Sequence, residues 1–146
     1  MAIPQTVQRR PERTPAGMLF HGGGLGPAAA AASIRYPIMR NPSTPTLDTY
    51  PMKVEQVTVL PGLAIAQNAG NATTFALQTA GGTVIATGTN AGAGGITVAS
   101  GLNLTINSAN ATVAAGTALH AVITNVVSGE VLSATHVVFQ VRLQPA

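Results

Sequence analysis

The chain has 146 residues, room for one domain, a formal net charge of +3, and only 8% charged residues against the roughly 25% usual for soluble domains. It has no cysteine, which excludes a disulfide framework and thiolate-ligated metals, and no run of about 18 apolar residues that would make a spanning helix. The basicity is local: Arg9, Arg10, Arg13, Arg35 and Arg40 precede residue 52 against Glu12 and Asp48, whereas Lys53, Glu55, Glu130 and Arg142 beyond it cancel.

Residues 1–51 hold eight of the ten prolines. Proline removes a backbone donor and pushes the residue before it toward extended geometry, so this stretch reads as an extended N-terminal arm. A short helix is expected only over 27–35, where Pro27 can open the run AAAAASIR, and nine residues are too few to be stable alone. Apolar residues scattered along the arm, among them Leu19, Phe20, Ile34 and Tyr36, suit anchoring in pockets of another surface. Arg9 and Arg10 ahead of GMLFHGGGLGPAAAAAS give the outline of an export signal. His21, three glycines and Pro27 make its apolar part too polar for one.

At Pro51 the texture changes, and residues 52–146 are expected to form one domain. Lys53 to Leu60 alternates as a strand and Pro61-Gly62 is a turn signal. Asn71 to Gln78 sets Phe75 and Leu77 on one face, and Thr83 to Thr87 is a short strand. Gly88 to Gly95 reads as an exposed flexible loop. Short strands are expected at Ile96 to Ala99, at Leu102 to Asn107, where Leu102, Leu104 and Ile106 alternate, and at Ala111 to Ala114. The closing stretch, Thr117 to Leu143, reads as two strands joined by a Ser-Gly loop. In the last, Val137, Phe139, Val141 and Leu143 share one face; in its expected partner, Ala118 to Val127, Leu119, Ala121, Ile123 and Val127 do, and both faces are apolar enough for that strand to be covered on both sides. Six to eight short strands with a turn about every ten residues predict an all-β fold, a small β-sandwich or jelly-roll-like domain preceded by the Pro-rich arm. A weakly charged exterior rich in Ala and Thr predicts homo-oligomerisation.

Chemistry is sparsely signalled. His21-Gly-Gly-Gly-Leu-Gly26 lacks the Lys-Ser/Thr ending of a phosphate loop, and no Gly-x-Ser-x-Gly elbow accompanies it as in esterases, so it reads as flexible arm. His120 and His136, if they face each other on adjacent strands, still want a third metal ligand, with Glu130 the nearest carboxylate; structural histidines are the plainer reading. Glu12, Asp48, Glu55 and Glu130 are too dispersed for an acid/base pair. Three Asn-x-Thr acceptor patterns, at Asn71, Asn103 and Asn110, fall in an Asn- and Thr-rich chain where chance produces them. Arg9, Arg10 and Arg13, broken by Pro11 and Glu12, are a thin footprint for nucleic acid. No catalytic residue, cofactor or metal is nominated.

The arm followed by a β domain ending in AGTALHAVITNVVSGEVLSATHVVFQVRLQPA resembles the small head decoration (cement) and related virion structural proteins of tailed bacteriophages. The similarity is one of texture and layout, best over Val54 to Ala146. It implies a non-enzymatic protein, made in the host cytoplasm, that sits on the outer surface of the capsid, commonly as a trimer. There it would hold neighbouring subunits of the major capsid protein together. Neither a membrane nor a nucleic acid is an implied partner. By their chemistry, Arg9, Arg10, Arg13, Phe20, Arg35, Tyr36 and Arg40 are the expected capsid contacts. Several arms on one oligomer would add through effective concentration. Two other classes stay open: a head-fibre, tail or cell-surface module binding carbohydrate, and a small coat or nucleoprotein whose basic arm binds nucleic acid. The first wants aromatic platforms, whereas Phe75 and Phe139 lie in strand-interior patterns. For the second, about 95 residues is small for a shell-forming jelly roll.

Overall fold

A computed structural model describes residues 18–27, 32–41, 51–125, 132 and 135–146. These form strands β1 (Met18–Leu25), β2 (Ser33–Arg40), β3 (Met52–Pro61), β4 (Thr74–Thr79), β5 (Val84–Thr89), β6 (Leu102–Asn103), β7 (Thr105–Ile106), β8 (Thr112–Val113), β9 (Ala118–Thr124) and β10 (His136–Pro145), with no helix among the described residues. One antiparallel sheet runs β1-β10-β3, with β6 and β8 both on the far side of β3; the other runs β2-β9-β4-β5-β7.

The pairing is nested. The first strand pairs with the last, β2 with β9, β3 with the β6–β8 stretch, and β4 with β5. Successive pairs alternate between the two sheets, as when one long antiparallel ribbon is wrapped around a core, which is the jelly-roll arrangement. The expected all-β sandwich is therefore present.

Its N-terminal limit is not where composition put it. Residues 18–25 and 33–40, expected in the arm, are edge strands of the two sheets. Pro37 is tolerated because β2 is an edge strand, and the register with β9 shifts between Pro37 and Met39. Of the helix expected over 27–35, Ser33 to Arg35 are extended and pair with β9, while 28–31 lie outside the described residues. The other expected arm residues, 1–17 and 42–50, also lie outside them.

The closing pair is also corrected. β9 and β10 are not partners; they belong to opposite sheets, each between two other strands. Their faces are as the periodicity demanded: Leu119, Ala121 and Ile123 from one and Val137, Phe139, Val141 and Leu143 from the other are all buried in the core, while Val127 lies outside the described residues. Phe75 of β4 and Phe139 meet there, ring centroids 6.5 Å apart and planes tilted by 49°, close enough for the two rings to interact.

Two irregularities close the wrap. Strict alternation would set Val54 and Val57 on opposite faces of β3. A register shift against β10 opposes Arg142 to Gln56 and Leu143 to Val54, leaving Glu55 as the extra residue, so Val54, Val57 and Val59 are all buried. The Leu102, Leu104, Ile106 alternation holds, but it belongs to two strands. β6 pairs with β3, β7 pairs with β5, and the chain crosses between sheets at buried Leu104, whose N–H donates to the Val57 carbonyl at 2.9 Å. The loop expected from Gly88 begins later, because β5 runs to Thr89 and Asn90 is buried. The strand expected at Ile96 is a single bridge to Ile65.

Candidate interaction surface

β1 and β2 lie against each other on one flank, each the outermost strand of its sheet. Phe20 of β1 and Ile34, Tyr36, Ile38 and Met39 of β2 are partly buried on the core. Gly22 and Gly24 of β1 are set by this packing. A Cβ on Gly22 would lie 2.9 Å from Ile38 Cδ1, and one on Gly24 would lie 2.5 Å from the Tyr36 ring. The Tyr36 hydroxyl then donates to the Leu25 carbonyl. Gly23, at φ 155°, would instead drive a Cβ into the Val137 carbonyl oxygen of β10. His21-Gly-Gly-Gly is thus neither a phosphate loop nor a flexible arm but a strand thinned to admit β2 at Gly22 and Gly24 and to lie against β10 at Gly23.

Of the expected contact residues, Phe20, Arg35, Tyr36 and Arg40 come together on this flank, while Arg9, Arg10 and Arg13 lie outside the described residues. Phe20 and Tyr36 are packing residues of the sandwich. Exposed Arg35 reaches across β9 to β4, donating to Gln78 Oε1 at 2.9 Å and to the Ala80 carbonyl at 3.4 Å. Exposed Arg40 donates from Nε to the Gly116 carbonyl at 3.0 Å.

The three histidines do not converge. His21 Nε2 lies 3.0 Å from Gln140 Nε2 on the outer face of the β1-containing sheet. His136 is on that sheet, and His120 is on the other with its Nδ1 buried and without a hydrogen-bond partner. The facing pair considered for metal is therefore ruled out by topology, and no metal-holding group of three is found among the described residues. Phe75 and Phe139 are fully buried, so neither offers a platform to a sugar.

Edges distinguish this molecule. An unpaired strand edge presents a row of N–H and C=O groups, and proteins blunt it with charge, proline, bulges or brevity. β6, β7 and β8 have two residues each, and β2 carries Arg35, Arg40, Pro37 and a register shift. β1 has none of these devices. It is eight residues long, uncharged and proline-free, and no described strand pairs with its outer side. Three of its side chains, Met18 (45%), Leu19 (52%) and Leu25 (52%), are among the most exposed large apolar groups of the described residues. This signal was present in the sequence as MLFHGGGL, but the glycines hid the strand that makes it an edge.

Compared with family models, with curated proteins and with solved structures, the chain matches none. The class that stands on the geometry is a small jelly-roll-like β-sandwich in which, among the described residues, β1 is an outermost strand without charge, proline or a register shift.

Proposed function

We propose that this protein is a non-enzymatic virion structural protein, a decoration (cement) protein that oligomerises on the outer surface of a tailed-phage head and holds neighbouring major capsid subunits together. The observation that supports this is the unguarded, apolar β1 edge on an otherwise weakly charged jelly roll, a surface suited to joining folded subunits. In this reading Arg9, Arg10 and Arg13 supply polar contacts to the capsid, and Arg35 and Arg40 lie exposed on the flank beside β1. Multivalency multiplies contacts that are weak singly.

The test is co-sedimentation of the whole chain with mature, DNA-emptied heads, beside a variant with Arg9, Arg10 and Arg13 replaced by Ala. Saturable binding, weakened in the triple variant, is the expected result. Failure of the whole chain to bind would end the decoration reading.

A second reading gains from the position of β1 and β2. With both in the wrap the jelly roll takes in residues from Met18 onward rather than from residue 52, so small size weighs less against a coat subunit whose arginines bind nucleic acid. Its mark is nucleic-acid affinity that falls steeply with salt and flattens in the same triple variant.

A further inference from the structure

The hydrogen-bonding phase of β1 shows which residues serve its free edge. The Gly26 N–H donates to the Thr135 carbonyl at 3.0 Å, continuing the register in which Leu25 opposes His136 and Met18 opposes Leu143. Bonding direction alternates along a strand, so the even-numbered residues serve β10, and Leu19, His21 and Leu25 turn N–H and C=O outward, as does the position of Gly23, where φ of 155° departs from the regular pleat. The Leu25 carbonyl already accepts from Tyr36 and keeps a second lone pair. These same four residues lie on the outer face of the sheet, since their partners in β10 alternate with the buried Val137, Phe139, Val141 and Leu143.

An added antiparallel strand must pair odd with odd, or its inner and outer faces are exchanged. β1 itself meets that demand. Centred on Gly22, a two-fold pairing opposes Leu19 to Leu25 of a second copy and Leu25 to its Leu19. His21 then faces Gly23, and Phe20 faces Gly24. Centring on His21 would oppose two histidines, and centring on Gly23 would oppose Leu19 to Pro27, which has no N–H. No charge on β1 repels its own copy, whereas Arg35, Arg40 and Pro37 bar the same pairing at β2.

We infer that two copies of this chain join antiparallel through β1 about a two-fold axis at Gly22, making one continuous sheet across both molecules. The inference uses the same β1 edge that supports the capsid reading, but a two-fold pair in solution neither requires head binding nor excludes it.

The experiment is sedimentation equilibrium of the whole chain from micromolar to millimolar concentration, with Leu19→Lys and the double variant Leu19→Lys/Leu25→Glu, each checked for an unchanged circular dichroism spectrum. The expected result is a monomer–dimer equilibrium, weakened about tenfold or more by Leu19→Lys, which loses two cross-strand leucine pairs. The double variant, setting opposite charges across both pairs, restores it. A monomer throughout, a trimer, or a dimer that Leu19→Lys leaves intact overturns the inference. A dimer broken by the single variant and not restored by the double one overturns the Gly22 register.

Discussion

At the end of β5, Asn90 is 1% exposed and fastens the loops there with its amide. Oδ1 accepts from the Thr73 N–H at 2.8 Å and Nδ2 donates to the Ala66 carbonyl at 2.8 Å. Thr73, fully buried, donates in turn from Oγ1 to Asn125 Oδ1 at 3.0 Å. Buried polar groups left without partners cost more than their bonds contributed. Asn90→Ala is expected to destabilise by about 2–3 kcal/mol, read as a lower urea midpoint at unchanged m-value. Gly24 tests the flank in the opposite sense, by adding an atom. Gly24→Ala drives a methyl into the Tyr36 ring and should cost about 1–3 kcal/mol, while Gly70→Ala, with nothing within 4 Å of the new atom, should stay within about 0.5 kcal/mol. The Gly24 cost should shrink in a Tyr36→Ala background; an additive double-mutant cycle would show that the ring is not what limits the site.

At the scale of elements, β1 and β2 decide what the folding unit is. They supply the outer partners of β10 and β9, and Phe20, Ile34, Tyr36, Ile38 and Met39 cover one side of the core. A chain begun at Met52 would expose that side and leave β9 and β10 as edges. It is expected to lose the sharp, single urea transition of the whole chain and to bind a hydrophobic dye. A fragment that unfolded cooperatively near the whole chain's midpoint would return the boundary to residue 52. Element identity was legible where side chains carry the period, as in β10 and β4. It was illegible where the period is carried by glycine, as at Gly22 and Gly24, or broken by a proline that only an edge strand accepts.

Across the whole molecule the two association surfaces differ in charge, and salt separates them. β1 has no ionisable group other than His21, so pairing through it rests on backbone bonds and leucines. Raising salt from about 0.05 to 0.5 M, which shortens the screening length about threefold, should leave self-association within about twofold. Head binding that depends on Arg9, Arg10 and Arg13 should weaken markedly over the same range. Self-association that collapsed in salt would point away from β1 and toward charged groups.

The amino-acid order by itself determined the all-β class, the inward faces of β4, β9 and β10, the central place of Phe75 and Phe139, and the absence of net charge beyond residue 52. Each is a local property: alternation assigns a residue to a face whatever its neighbours are. Only the tertiary structure decided which strands pair. It separated β9 from β10, split Leu102 to Ile106 between two sheets at Leu104, and placed Glu55 as an extra residue so that Val54 and Val57 face the same way. It alone showed that β1 is the outermost of the described strands in its sheet, because an edge is defined by what lies beside a strand, and no periodicity within eight residues records that.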